Sequence, residues 1–406
     1  MEDAQVRRLP ERTIADILLR LPAKSLLRSG AACKAWRRIT TAPHFLATRA
    51  GRHRPALSIL VHTCLPAAPR PRGSDLLAGL GSEDVALDAL PVSSSEAAGD
   101  AGRHRLIRYP ITALATRPYC LLLASCDGVL LFNVDDGLYL LCNPITRQWA
   151  ELPRLPDDYR KELDTEYAFY LHQPSGEFRL LCCSLRRRVW YIVSTGGAAE
   201  PRHLKASAAD PTLVTRFICS LFMTTTTPVA LHGNLHWPPL LLSVTGETRI
   251  TAFDTVSETF HQMLGPTASG RAEMLKLFEM GRLLAAADFG DEKHVDLWFL
   301  EDYSAGRWAR RHRVASPWKH GNRRPRNRCG MQSVAAAGDE QGNVILGNSG
   351  GLAVYDTRRR KTVRTVDSVM RPESVSRYVF KGSLVQHACF FATPNSTKFP
   401  FIHSWG

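Results

Sequence analysis

"DGVLLFNVDDGLYLLCNPITRQWAEL", residues 127–152, is the stretch that decides how most of this chain folds. It begins with a glycine turn, continues as an aliphatic run, turns again at a polar pair, and continues as a second apolar run that ends at Asn143. A further turn leads into a short run that contains Trp149. Short apolar runs separated by Gly, Asp and Asn are typical of β-hairpins. The stretch therefore predicts consecutive antiparallel strands.

The same unit recurs four more times towards the C-terminus. Each copy has a turn glycine at or near its start, and successive turn glycines are roughly 50 to 60 residues apart, the length of a propeller repeat. Repeats of this size, built from about four short strands, indicate the blades of a β-propeller. The copies differ in length, so their number leaves the blade count open. The four further copies are residues 175–195, 232–263, 280–314 and 341–366.

A finer pattern recurs within three of the copies. An Asn or Asp is followed three residues later by a Ser or Thr and then by an aromatic residue. The side-chain oxygen at the first position can accept hydrogen bonds from backbone N–H groups of a tight turn. The aromatic side chain then enters a strand and packs between sheets, so both roles are structural. The pattern occurs at Asn143, Thr146 and Trp149, at Asp254, Ser257 and Phe260, and less regularly at Asp302, Ala305 and Trp308.

The N-terminal stretch "LPERTIADILLRLPAKSLLRSGAACKAWRRI", residues 9–39, follows a helical pattern instead. Apolar residues from Ile14 to Leu21 share one face of a first helix, and Pro22 ends it. A second helix follows, with one apolar and one basic face. About 40 residues of helix bury too little surface to be stable alone. This unit must therefore pack on the rest of its own chain or on another protein.

The same stretch closely resembles the F-box. The family pattern is matched at Leu9, Pro10, Ile14, Ile17, Leu18, Arg20, Leu21, Pro22, Lys24, Ser25, Leu26, Arg28, Cys33, Lys34, Trp36 and Arg37, with Ala32 as a departure from a larger apolar residue. The resemblance implies an F-box over residues 5–50 that docks on the Skp-type adaptor, and through it on a cullin. It implies adaptor contacts by Leu9, Pro10, Ile14, Ile17, Leu18, Leu21, Pro22 and Leu26, and helix-packing roles for Cys33 and Trp36.

The repeats resemble the plant F-box-associated domain. The resemblance rests on "SCDGVLLF" and "LCNPITRQWAELP", and on the later "HGNLHW", "ITAFDTVSETF" and "VDLWFLEDY". It implies a kelch-like β-propeller that recognises a target protein. The expected fold is thus a small N-terminal helical F-box followed by an irregular all-β propeller-like domain over residues 106–395.

Residues 66–105 separate the two expected domains. They are rich in Ala, Gly, Pro and Ser and poor in aromatic residues, which is typical of a loop or linker. We expect this segment to be ordered only in part, although "DVALDALPV" within it could form the edge of a strand pair.

Positive charge is concentrated late in the chain. The protein carries 52 Lys and Arg against 38 Asp and Glu, a net charge of +14, and residues 307–328 contain basic residues and no acidic ones. An acidic or phosphorylated target would suit such a segment. A solvated or disordered loop is the plainer interpretation, and nuclear import or nucleic-acid contact is a further one. The candidate anion or target contacts are Arg307, Arg310, Arg311, Arg313, Arg323 and Arg324.

The sequence offers no catalytic or metal-binding constellation. Residues 347–351 fit the G-x-S-x-G pattern, but a strand-like run follows where a nucleophile elbow needs a helix. The 14 histidines lack metal-ligand spacing, and phosphate-cradling motifs are missing. We therefore expect no enzyme activity, no cofactor and no metal.

The expected location follows from what the sequence lacks. An apolar run long enough to span a bilayer and a secretory signal are both missing, and the ten cysteines have no disulfide context. We expect a cytoplasmic or nuclear protein with reduced thiols.

The leading hypothesis is a substrate-recognition subunit of an SCF-type cullin ubiquitin ligase. The F-box would bind the adaptor and the β domain a target protein. Three alternatives stay open: a basic RNA- or anion-binding propeller, a sugar-binding or enzymatic propeller that uses a polar central channel, and an F-box scaffold without a role in degradation.

Overall fold

The fold is taken from a computed structural model of the 406-residue chain. It describes residues 9–21, 23–52, 57–65, 83–92, 103–111, 113–114, 117–118, 121–135, 138–153, 165–184, 189–196, 201–204, 227–239, 247–267, 274–291, 293–316, 337–348, 351–367 and 373–392. Four helices come first and β-strands follow to near the C-terminus. The predicted fold, a small N-terminal helical unit followed by an all-β propeller-like domain, is confirmed.

The N-terminal helices are short and lie directly after one another. They are α1 (Glu11–Leu19), α2 (Ala23–Ala32), α3 (Lys34–Thr41) and α4 (Pro43–Arg52), and a single turn of helix, α5 (Cys389–Ala392), lies near the other end.

The strands of the described residues form six four-stranded antiparallel sheets, which are the blades. From the inner to the outer strand, blade 1 is β26 (Glu373–Lys381), β1 (Leu57–Leu65), β2 (Glu83–Pro91) and β3 (His104–Ile111); blade 2 is β6 (Leu121–Cys126), β7 (Val129–Asp135), β8 (Leu138–Asn143) and β9 (Gln148–Glu151); blade 3 is β10 (Thr165–His172), β11 (Glu177–Ser184), β12 (Val189–Ser194) and β13 (Arg202–His203).

Blade 4 is β14 (Val229–Leu231), β15 (Asn234–Trp237), β16 (Arg249–Asp254) and β17 (Thr259–Leu264); blade 5 is β18 (Leu275–Met280), β19 (Leu283–Asp288), β20 (His294–Asp302) and β21 (Arg307–Ala315); blade 6 is β22 (Ala337–Gly338), β23 (Asn343–Asn348), β24 (Gly351–Asp356) and β25 (Lys361–Asp367). A two-stranded ribbon, β4 (Ala113–Leu114) with β5 (Arg117–Pro118), lies between blades 1 and 2.

Blade 1 is assembled from both ends of the chain. The last strand, β26, pairs with the first, β1, in antiparallel register, with Leu57 opposite Lys381 and Ile59 opposite Val379. This pairing closes the ring of sheets, and closure removes the open sheet edges that a row of blades would otherwise leave. Five repeats are visible in the sequence because five blades are continuous; the sixth is divided between the ends.

An apolar cluster fills each junction between neighbouring blades. Six such clusters are present, and each draws its buried side chains from two adjacent sheets. The junction of blades 6 and 1 is one of them: Ile345 and Val354 pack with Ile59 and Leu90 there. The packing is thus continuous around the ring.

Turns between the first and second strands of a blade are tight and share one face of the propeller. In blade 2, Asp127 (φ 49°) and Gly128 (φ 78°) form a two-residue loop with both φ angles positive, the pattern of a type I′ turn. His232 and Gly233 in blade 4 have the same conformation, with φ of 51° and 76°. The turns between third and fourth strands lie on the same face, which we call the short-turn face.

The repeated Asn/Asp pattern forms the turns between third and fourth strands, as predicted. The Oδ1 atom of Asn143 accepts the N–H groups of residues 145 and 146 at 3.0 and 3.2 Å. Asp254 and Asp302 cap their turns likewise, and Asp356 is a fourth example that the sequence comparison missed. The turn that begins at Asp356 was not recognised because its sequence has neither the Ser or Thr three residues later nor the aromatic residue that follows in the other copies.

The expected domain boundaries need correction. The propeller begins at Leu57 rather than at residue 106, because β1 and β2 belong to blade 1. Within the predicted linker 66–105, β2 is an interior strand between β1 and β3, not an edge. Only residues 53–56 separate the end of α4 from β1. Residues 66–82 and 93–102 lie outside the described residues.

His236 is a buried polar link between blades 4 and 5. Its Nδ1 lies 3.1 Å from the carbonyl oxygen of Val229, to which it donates, and its Nε2 lies 2.8 Å from the hydroxyl of Tyr303, from which it accepts. Burial lowers the pKa of His236 from 6.5 to about 4. Between these two values the unfolded chain binds a proton that the folded chain does not, so stability falls as the pH falls through this window.

We predict that wild-type protein loses about 2 kcal/mol more unfolding free energy between pH 7 and pH 5 than a His236→Gln variant does. Urea unfolding at the two pH values measures this difference. The same substitution at the exposed His44 of α4 is the control and should leave the wild-type pH dependence in place. Equal acid sensitivity of wild type and His236→Gln would contradict the prediction.

Candidate functional site

The helical unit has a small core of its own. Five side chains from the four helices are buried together: Leu18, Leu19, Leu26, Ile39 and Phe45. Half-buried residues pack around them, including Ile14, Leu21 and Trp36. The unit is therefore organised around side chains that the sequence pattern had treated as one apolar surface.

Part of the predicted adaptor surface lies inside this core. Leu18 and Leu26 are only 1% and 2% exposed, so their role in this conformation is packing. The reason is helical phase: Ile14, Leu18 and Leu21 point the same way, towards the other helices, while Ile17 lies at the margin of that stripe.

Three apolar side chains of the unit are exposed instead. Leu9 is 57%, Ile17 49% and Leu27 40% exposed, and Pro10 beside Leu9 is exposed as well. The side chain of Pro22 lies outside the described residues. Of the residues predicted to contact an adaptor, Leu9, Pro10 and Ile17 are thus on the surface, and Leu27 is an addition that the sequence pattern had missed in favour of Leu26.

Cys33 and Trp36 have different roles at the start of α3. Cys33 is exposed and is the N-cap, its sulfur accepting the N–H of Trp36 at 3.4 Å. Trp36 is half-buried against the helical core. The predicted packing role therefore fits Trp36, whereas Cys33 acts through the backbone of its own helix because its side chain is too short to reach the core from a cap position.

The basic segment is a strand where it is described. Residues 307–315 form β21, the outer strand of blade 5, so the interpretation of this part as a loop is wrong. The antiparallel register places Arg313 opposite Asp296 and Arg307 opposite Asp302 of β20, whereas Arg310 lies opposite Trp298. Residues 317–336, with Arg323 and Arg324, lie outside the described residues.

The four described arginines are already paired with acids. Asp296 receives Nε and Nη2 of Arg313 at 2.7 and 2.8 Å, and Nη1 of Arg310 at 3.2 Å. The bond from Arg313 is the main cause of a lowered pKa at Asp296. Arg311 lies 3.4 Å from Glu301 and stacks 5.1 Å from the ring centre of Phe299.

The remaining ion pair joins Arg307 and Asp302 at 3.6 Å, and the Arg307 side chain is more exposed than the other three arginines. The cluster is therefore largely neutralised by its neighbouring strand, and its charge is not free in the way the sequence suggested.

Two general features bear on the site. No three His, Cys, Asp or Glu side chains come together as metal ligands in the part of the chain that the structure describes. Within the same residues, every helix is too short or too polar to cross a membrane.

Comparison with known proteins agrees with this architecture. Residues 6–50 match the F-box-like family model, and residues 89–349 match the F-box associated beta propeller domain. The Arabidopsis thaliana F-box protein At3g07870 is 22% identical over 73% of this chain and 69% of its own length. The putative F-box protein At5g62660 of the same plant is 25% identical over 78% of this chain and 80% of its own length.

The difference in burial predicts unequal losses of stability for two neighbouring substitutions in α1. Leu18→Ala should lower the unfolding free energy of the helical unit by about 2–5 kcal/mol, because it leaves a cavity in the core. Ile17→Ala, at an exposed position, should change it by no more than about 0.5 kcal/mol. Hydrogen–deuterium exchange of the amides of α1–α4 measures both. Equal protection in the two variants would contradict the assignment of Leu18 to the core.

Proposed function

This chain belongs to the family of proteins with an F-box associated beta propeller domain, and from that premise we propose that it is the substrate-recognition subunit of an SCF-type cullin ubiquitin ligase. Its F-box binds a Skp-type adaptor, which joins it to the cullin, and its propeller binds the target protein. Members of such substrate-adaptor families are generally not catalysts. The mechanism is proximity: holding the target near a ubiquitin-loaded enzyme raises the effective concentration of its lysines.

The exposed apolar side chains of the helical unit carry this proposal. Leu9, Ile17 and Leu27 remain on the surface although the unit has a buried apolar core. Large exposed apolar residues in a small module are typical of a protein–protein interface. Together with the F-box match, these exposed side chains support adaptor binding by the helical unit.

The propeller supports target binding on the face opposite the short-turn face. Connections between successive blades leave from that opposite face, because each fourth strand runs away from the short turns. Residue 316 at the end of β21 and residue 337 at the start of β22 mark where one such connection, with Arg323 and Arg324, leaves and rejoins it. We place the acidic or phosphorylated part of the target against this connection.

The ion pairs of blade 5 argue against strand β21 as a contact for nucleic-acid phosphates. Phosphate contacts need arginines that are free to pair, and Arg310 and Arg313 share Asp296 instead. If the propeller bound RNA, its affinity would fall steeply with rising salt, and such a loss would favour the RNA alternative over recognition of a protein target.

Adaptor binding is tested by introducing charge on the exposed side of α1. We predict that Ile17→Asp reduces the affinity for a Skp-type adaptor at least tenfold, because the aspartate would be buried without a partner in the interface. Calorimetry with purified adaptor measures it. Val256→Asp, at a 61% exposed valine in a turn of blade 4, is the matched control and should bind normally. Unchanged binding by Ile17→Asp would remove the support for this surface.

Targets are sought by affinity capture under proteasome inhibition. Proteins bound by both wild type and Ile17→Asp, but stabilised in cells only by Ile17→Asp, are the expected targets. Binding without any change in the stability of the bound proteins would instead favour the scaffold alternative.

A further inference from the structure

The chain continues past the closing strand β26 as a segment that crosses the short-turn face. Residues 382–392, which we call the C-terminal strap, run over the turns of blade 2 and end in α5. At its start the strap contacts Ile145: a Cβ on Gly382 would lie 3.3 Å from its Cγ1 atom. The Nδ2 of Asn143 donates to the carbonyl oxygen of Ser383 at 3.1 Å. The strap is thus hydrogen-bonded to the turn between the third and fourth strands of blade 2.

The other turn of blade 2 is shaped to let the strap pass. A Cβ atom built on Gly128 would lie 2.4 Å from the Cβ and 2.6 Å from the backbone nitrogen of Ser383. Gly233 occupies the same place in the type I′ turn of blade 4, with φ 76° against 78°, and has nothing within 4 Å of such an atom. The close approach is therefore a property of the strap and not of the turn.

The far end of the strap is anchored in the propeller core. The ring of His387 is buried and lies edge-to-face on Phe178 of blade 3, with ring centres 4.6 Å apart. Phe390 in α5 is buried in the apolar cluster between blades 2 and 3. Both ends of the strap are thus held by the propeller.

Between these anchors, the strap contacts the helical unit. Leu384 is half-buried against the cluster formed by Leu18, Leu26 and Phe45. Among the described residues of that cluster and its partly buried neighbours, it is the one that comes from beyond the helices. The next residue, Val385, is 40% exposed. One side chain of the strap therefore completes the helical core while its neighbour faces away.

We propose that the C-terminal strap is a joint that fixes the orientation of the F-box helices on the propeller. Leu384 docks in the helical core, and Asn143, His387 and Phe390 hold the strap on blades 2 and 3. Among the described residues of the helical cluster and its partly buried neighbours, Leu384 is the contribution from outside residues 9–52. With the strap in place, the adaptor-binding and target-binding parts of the chain move as one body, which goes beyond the binding roles proposed above.

The choice of Asn at position 143 fits this role. The equivalent turns of blades 4, 5 and 6 use Asp254, Asp302 and Asp356, whose carboxylates accept from the turn amides. An ionised carboxylate cannot also donate to a carbonyl. Asn143 does both, capping its own turn with Oδ1 and binding Ser383 with Nδ2. The side-chain amide of Asn143 is thus found at the turn that the strap crosses.

The joint is tested first by removing its contact with the helices. Hydrogen–deuterium exchange is measured on the full chain without any adaptor. We expect Leu384→Ala to speed amide exchange in α1–α3 by roughly tenfold while the propeller strands keep their protection, since half of a leucine contact is lost from a small core. Val385→Ala, one residue away and exposed, should exchange at the wild-type rate.

A second pair of variants tests the strap at a site away from the helices: one variant displaces the strap, and the other is its control. Gly128→Ala and Gly233→Ala impose the same backbone strain at equivalent turns, but only the first collides with Ser383. We expect Gly128→Ala to speed exchange in α1–α3 by roughly tenfold and Gly233→Ala to leave it unchanged.

Any of three results would overturn this proposal. The first is exchange in α1–α3 at the wild-type rate in Leu384→Ala, and the second is equal exchange there in the two glycine variants. The third is an equal loss of protection in helices and propeller strands, which would make the strap a general part of the propeller. Neither measurement involves the adaptor, so failure of the joint and failure of adaptor binding in Ile17→Asp are separate outcomes.

Discussion

The pairing of β26 with β1 is the contact on which the rest of the structure depends. It joins the two ends of the chain in one sheet, supplies the inner strand of blade 1, and closes the ring of apolar clusters between blades. It also fixes what lies outside the ring. Because β26 ends and β1 begins on the short-turn face, the helices before β1 and the strap after β26 meet there.

The parts of the fold that depend on local sequence could be predicted. The turn glycines and the capping residues Asn143 and Asp254 act within a few positions of themselves, so their spacing revealed five blades and their turns. Blade 1 could not be recognised in the same way, since its inner strand comes from the other end of the chain. The same limit applies to Leu384, because no pattern in residues 382–392 indicates a contact with helices near the N-terminus.

The candidate surfaces show the difference between residue type and environment. The apolar pattern of α1 predicted a helix with an apolar face. The structure was needed to show that Leu18 is buried and Ile17 is exposed. The same difference between residue type and environment applies to the charges of basic residues 307–313. A net charge of +14 suggested a free cationic segment, yet Asp296, Glu301 and Asp302 on the adjacent strand engage these arginines. What a surface offers a partner is decided by its cross-strand neighbours.

A ring closed by its last strand imposes an order on synthesis. The helices are translated before the propeller and can find a partner while the blades are still being made. Strand β1 follows soon after, but its inner neighbour β26 is translated only after the strands of the other five blades. Until then β1 presents an unpaired edge, the kind that invites pairing with other chains and protection by chaperones. A ribosome that stops before residue 373 therefore releases an open ring whose helices have no joint.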